Sequence, residues 1–178
     1  MSKRGTYALR ISGLGEGNHD FSFELDQQFF ASFEHPEIEE GNVSARIILE
    51  RKSGVMTLNF TLNGKVKVTC DRCLDQFFTG IDTAQKLFIK MGESPDEMDD
   101  DVIMIRKDDH EIEVGQYMHE FIILALPYKR IHPDNDKGQP TCNPEMLKKL
   151  EAHMITDEPA DQTDPRWDAL KGIFENNN

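Results

Sequence analysis

Cysteine is scarce in this sequence, with only Cys70, Cys73 and Cys142 among 178 residues. An odd number cannot all pair within one chain, so a disulfide framework is excluded as the organising device, and reduced thiols fit a cytoplasmic setting. Long apolar runs are missing too. The longest, Phe121 to Leu126, falls far short of the roughly 20 residues of a membrane helix. The basic N-terminus, Met1 to Tyr7, is followed by no apolar stretch and no small-residue cleavage site, so export is not expected. Positive charge is in short supply: 20 Lys and Arg against 33 Asp and Glu leave a net charge of −13. That balance works against non-specific attachment to polyphosphate backbones and attracts a basic partner. Catalytic signatures are absent as well, with no G-x-S-x-G, phosphate-binding glycine loop, H-E-x-x-H or dinucleotide fingerprint.

What remains suits one core. The expected fold class is α+β, a largely antiparallel β-sheet with a few packed helices, in a single domain over residues 1–155. A polar linker and a C-terminal helix are expected over 156–178, the helix starting at Asp164-Pro165 and docking on the domain or on a partner. Thr6 to Ser12, His19 to Leu25 and Val43 to Arg51 read as strands, and Asp26 as the cap of a short helix. The clearest strand signal is Met56 to Cys70, where Met56, Leu58, Phe60, Leu62, Val66, Val68 and Cys70 share one parity. Asn63-Gly64 invites a hairpin, but a two-residue turn would bring Lys65 and Lys67 to the core side. One long strand is expected instead, continuous or bulged at Gly64, with Phe77 to Met91 returning beside it. Val102 to Ile105 and Ile112 to Val114 read as short β segments. Gly115 to Leu126 reads as a helix with Tyr117, Phe121, Leu124 and Ala125 near its inner face, and Asn143-Pro144 as the start of another. The acidic stretch 92–101 reads as a solvated loop.

Cys70-Asp71-Arg72-Cys73 is half of a zinc knuckle, since a two-residue spacer on a tight turn lets both sulfurs point at one ion. His132 and Cys142 are the candidates for the other half, Cys142 standing before a helix N-terminus that favours a thiolate. Together they make Cys₃His, a closed structural set for zinc. The competing reading makes Cys70 an ordinary core residue, and a catalytic dyad of Cys142 and His132 lacks an orienting third group. His19, His35, His110, His119 and His153 read as surface or helix-face residues.

The string Cys70 to Leu74 with Phe77 and Phe78 resembles the C-x-R-C signature of the YceD family, the large ribosomal RNA subunit accumulation proteins. Leu126-Pro127 followed by His132 and Cys142 is similar to the region after that family's "LP" motif. Asp164-Pro165-Arg166-Trp167 with Leu170 is similar to its "DPR" block. Many members carry a cysteine-rich cluster after "LP", where this chain has only His132 and Cys142. The resemblance implies a non-enzymatic role in accumulation or maturation of large-subunit ribosomal RNA, in the cytoplasm of bacteria or in plastids.

Two partner classes follow. The polar parity of the long strand, with Lys65, Lys67, Arg72, Lys86 and Lys90, offers a basic surface to precursor ribosomal RNA. The acidic body as a whole suits a basic large-subunit ribosomal protein, and this is the preferred reading, because Thr, Asn and Lys decorate the solvent face of any sheet. A metal-stabilised interaction module outside ribosome assembly is the runner-up, and a cysteine-dependent enzyme the third.

Overall fold

A computed structural model describes residues 7–33, 37–38, 40–52, 55–92, 102–106 and 108–154. The chain falls into two compact units, residues 1–142 and 143–178. The first unit contains β1 (Ala8–Arg10), β2 (Gly17–Leu25), α1 (Gln27–Phe30), β3 (Gly41–Lys52), β4 (Val55–Thr69), β5 (Gln76–Met91), β6 (Val102–Ile105), β7 (Glu111–Glu113) and α2 (Gly115–Leu124). The second contains α3 (Pro144–His153).

Strands β2 to β6 form a five-stranded sheet in sequence order, antiparallel except for the parallel β5–β6 edge. A separate pair joins β1 to β7. The fold is thus α+β with a largely antiparallel sheet. Strand β4 runs unbroken through Asn63-Gly64, and its registers with β3 and β5 pass Gly64 without a skipped residue, so no bulge is needed. The glycine has a different purpose. A Cβ there would run into the β3 backbone, overlapping the Asn42 carbonyl oxygen and lying 2.6 Å from the Val43 Cα.

The inner parity of β3, β4 and β5 is buried, from Val43, Ile47 and Leu49 through Met56, Leu58, Phe60 and Leu62 to Ile81, Leu87 and Ile89. Asp26 caps α1 as expected, its Oδ1 accepting from the N–H groups of Gln28 and Phe29 at 2.9 and 3.2 Å. That cap sets Phe29 and Phe30 into the core, where Phe29 meets Tyr7, Phe30 and Phe33 edge to face. Helix α2 lies over the sheet with Phe121 edge-on to Phe60 at 5.1 Å.

The inner face of α2 departs from the expectation. Met118, Phe121 and Ile122 are buried, whereas Leu124 is 75% exposed and the helix ends there. At 100° per residue Leu124 points away from the stripe that Met118 and Ile122 define, and only one of the two apolar stripes can face the sheet. His119 sits on the flank of α2, its ring stacked on Phe33 at 3.8 Å.

In the second unit α3 begins as its sequence dictates, with Pro144 in the first turn and the Asn143 side chain accepting from the Glu145 N–H at 3.1 Å. The helix expected from Asp164, the acidic stretch 93–101 and His35 lie outside the described residues. No helix among the described residues is long and apolar enough to cross a membrane.

Candidate metal centre

The last core residue of the inner β4 parity is Cys70, so the long strand delivers a sulfur to its own end. The chain then reverses tightly. Leu74 N–H donates to the Cys70 carbonyl at 3.0 Å, and Cys70 N–H donates to the Asp75 carbonyl at 2.9 Å. Leu74 adopts φ 65°, the left-handed region that a side chain disfavours, and this brings Cys73 back beside Cys70.

The second half of the site arrives after α2, and Asp71 holds it. Asp71 N–H donates to the Arg130 carbonyl at 2.7 Å, Asp71 Oδ2 accepts from the Arg130 N–H at 2.7 Å, and the Arg130 guanidinium lies 3.5 Å from Oδ1. His132, two residues on, leans on Phe77 with ring centroids 4.6 Å apart. The segment 133–141 is a closed excursion. Asn135 Oδ1 accepts from the N–H groups of Lys137 and Gln139, and the Thr141 hydroxyl donates to the Pro133 carbonyl at 2.7 Å. Its closure returns Cys142 to His132.

The four expected ligands converge: the donor atoms of Cys70, Cys73, His132 and Cys142 all lie within 4.8 Å of one another. The edges can be tested against zinc. A tetrahedron with Zn–S of about 2.3 Å and Zn–N of about 2.0–2.1 Å has S···S edges of about 3.8 Å and S···N edges of about 3.5 Å. Cys70 Sγ to Cys142 Sγ is 3.8 Å, Cys73 Sγ to His132 Nδ1 is 3.5 Å, and Cys142 Sγ to His132 Nδ1 is 3.7 Å. The donor set and its spacing fit zinc.

Electrostatics point the same way at Cys70. Burial opposes ionisation there, but the N–H groups of Cys73, Arg72 and His132, with the His132 ring, outweigh it and bring the thiol down to about 6. Amide hydrogens aimed at a sulfur are what a thiolate ligand requires. Cys142 runs against the expectation of a helix-favoured thiolate. Burial, then hydrogen bonding to the other two sulfurs and their negative charge, push it up to about 11. Three sulfurs in one buried cluster cannot all ionise without a cation among them.

Asp71 and Arg130, which fasten the two halves, escape sequence reasoning. Asp71 is visible only as the first spacer of the C-x-x-C, and nothing near Arg130 advertises a partner 59 residues away. Of the candidate nucleic-acid-binding residues, Arg72 is exposed on the knuckle and away from the strands. Lys65 and Lys67 on β4 and Lys86 and Lys90 on β5 occupy outward positions of the sheet.

No curated protein and no solved structure matches the chain significantly. A family model does: the one described as large ribosomal RNA subunit accumulation protein YceD matches residues 58–174, about two thirds of the sequence. The matched stretch takes in most of β4, the knuckle, α2 and all four converging side chains, and the chain therefore belongs to the YceD family.

Proposed function

We propose that this protein is a non-enzymatic factor of large-subunit ribosome biogenesis, acting in the cytoplasm by binding assembly intermediates. A structural zinc ion held by Cys70, Cys73, His132 and Cys142 would pin its knuckle. Membership of a family named for large-subunit ribosomal RNA accumulation supports the biological role. The observation that carries the zinc reading is the convergence of three sulfurs and one imidazole nitrogen, from two distant segments, within 4.8 Å of one another.

Zinc here would supply no reaction step. Four protein ligands close its coordination shell, leaving no position for water or substrate. The side chains are 0%, 1% and 5% exposed at Cys70, Cys73 and Cys142, which also favours a structural site over a nucleophile awaiting substrate. The test has two readouts. Purified full-length protein should carry about one zinc per chain, measured by elemental analysis, and tagged protein in cells should co-sediment with large-subunit precursors. Protein that folds without metal and takes none up would end the zinc reading, and absence from precursor fractions would end the ribosomal one.

A further inference from the structure

Away from the knuckle, the outward face of the five-stranded sheet departs from the average charge of the chain. On β2 and β3 the outer acids outnumber the bases by one, Arg46 pairing with Asp20, Lys52 with Glu50, and Glu24 accepting from the Ser44 hydroxyl. On β4 and β5 they do not. The register puts Lys65, Lys67, Lys86 and Lys90 on one face with a single acid, Asp82, among the outward positions of the two strands. Lys67 meets Glu40 from outside the pair at 2.8 Å, while Lys65, Lys86 and Lys90 make no ion pair among the described residues. A chain with net charge −13 thus keeps a basic strip on two adjacent strands.

That strip also holds two aromatic rings in solvent. The parity that buries Ile81, Leu87 and Ile89 turns Phe78 and Phe88 outward, 46% and 42% exposed. Neither ring belongs to the core cluster. Around Phe78 the cations gather, with Lys65 Nζ 5.3 Å and Lys67 Nζ 5.9 Å from the ring centroid. Ring faces flanked by ammonium groups on an antiparallel sheet meet both requirements of a single nucleic-acid strand, stacking for a base and neutralisation for its phosphates. A basic protein would be repelled by the strip, and a duplex would not offer its base faces.

We infer that the outer face of β4 and β5 is a platform for single-stranded RNA, with a base stacked on Phe78 and flanking phosphates held by Lys65 and Lys67. Phe88 with Lys86 and Lys90 makes a second station, roughly 33 Å along β5 at the usual rise per residue. The identity of the strand as RNA rests on the ribosome-assembly reading, and the platform itself rests on the strip.

The test uses full-length protein and a fluorescein-labelled RNA single strand of about twelve nucleotides, within the site sizes of OB-fold single-strand binders, followed by anisotropy across a salt series. The same sequence as a duplex and a set of isolated large-subunit proteins serve as competitors. Phe78→Ala should weaken single-strand binding roughly tenfold, and Phe78→Trp, which keeps a ring face, should restore it. Replacing Lys65 and Lys67 together with Gln should lower the slope of log affinity against log salt by about 1.4, or ~0.7 for each phosphate that is no longer neutralised. Circular dichroism and metal content should be unchanged in all three variants. Wild-type affinity in both Phe78→Ala and the double lysine variant would overturn the platform. So would binding to isolated large-subunit proteins without binding to the single strand. Co-sedimentation of wild-type protein with large-subunit precursors separates the two readings: if it holds while the variants bind RNA normally, only the platform is wrong. If it fails while the variants lose RNA binding as expected, the platform stands and the assembly role falls.

Discussion

The Sγ atoms of Cys70 and Cys142 stand 3.8 Å apart although 72 residues separate them in sequence. That is nearly twice the roughly 2.05 Å of a disulfide bond and equals the sulfur–sulfur edge of a zinc tetrahedron. Chelation should therefore destabilise the protein without any reductant present. With zinc at 100 times its dissociation constant the stabilisation is about 2.7 kcal/mol, so removing it should lower Tm by about 5–10 °C for a chain of this size. Cys142→Ser should abolish the chelator effect and bring Tm to the stripped value. A chelator-insensitive wild-type Tm would contradict the site.

Asp71 touches no ligand atom directly, yet it holds the backbone that carries His132. Asp71→Ala, which removes the side-chain acceptor of the residue-130 N–H, should weaken zinc about 10–100-fold in a competition assay with a coloured chelator, the usual range for groups that position ligands. Arg130→Gln should cost less, because Asp71 would still accept the backbone N–H of residue 130. Equal retention of zinc in wild type and Asp71→Ala would show that the loop needs no such fastening.

In the reduced, metal-free protein, Cys70 and Cys142 titrate with opposite consequences. The Cys70 thiol is lowered from the usual 9.0 to about 6, and its contribution is complete above pH 9 and lost as pH falls through 6. The Cys142 thiol is raised from 9.0 to about 11, and its contribution is complete below pH 9 and lost as pH rises through 11. Their combined contribution is greatest near pH 9. Urea midpoints measured from pH 5 to 11 should show an acid-side decline that Cys70→Ser removes. The alkaline-side decline should vanish in Cys142→Ser, and should shrink in Cys70→Ser because part of the Cys142 shift comes from its neighbour's charge.

Two strand glycines should respond oppositely to alanine. At Gly64 the new Cβ meets the β3 backbone, which cannot move aside as a side chain could, and the loss should be about 1–3 kcal/mol. At Gly80 nothing lies within 4 Å of the new atom, and Gly80→Ala should be neutral or stabilise by up to ~1 kcal/mol. Denaturant unfolding of both variants checks the pair, and equal losses would refute the close approach at Gly64.

Parity makes β4 legible without coordinates, because a strand buried on one face repeats every second residue whatever its partners are. The same rule shows that Asn63-Gly64 is no hairpin. It cannot say why glycine stands at 64, since that depends on how closely β3 passes. Leu124 marks another limit, as a short apolar helix offers two faces and only the sheet chooses between them. Cys73, His132 and Cys142 are legible by residue type and family likeness, whereas their fastening by Asp71 and Arg130 is a backbone contact that leaves no pattern. Parity alone marks Lys65, Lys67, Lys86 and Lys90 as a basic surface, whereas the placing of the Phe78 ring beside Lys65 and Lys67 depends on the register of β4 with β5.

The sheet order of the first unit has a kinetic corollary. From β2 to β5 every neighbour in space is the next strand in sequence, so the meander can form through local contacts that close small loops. The union of the knuckle with the segment after α2 instead closes loops of 59 and 72 residues. Chain closure on that scale is entropically costly and comes late. Refolding from urea is therefore expected in two steps, a zinc-independent phase that builds the sheet and a later, zinc-dependent phase that seats residues 130–142. In the native protein the same late-forming segment would be the first to open, exchanging its amide hydrogens while β3 and β4 stay protected.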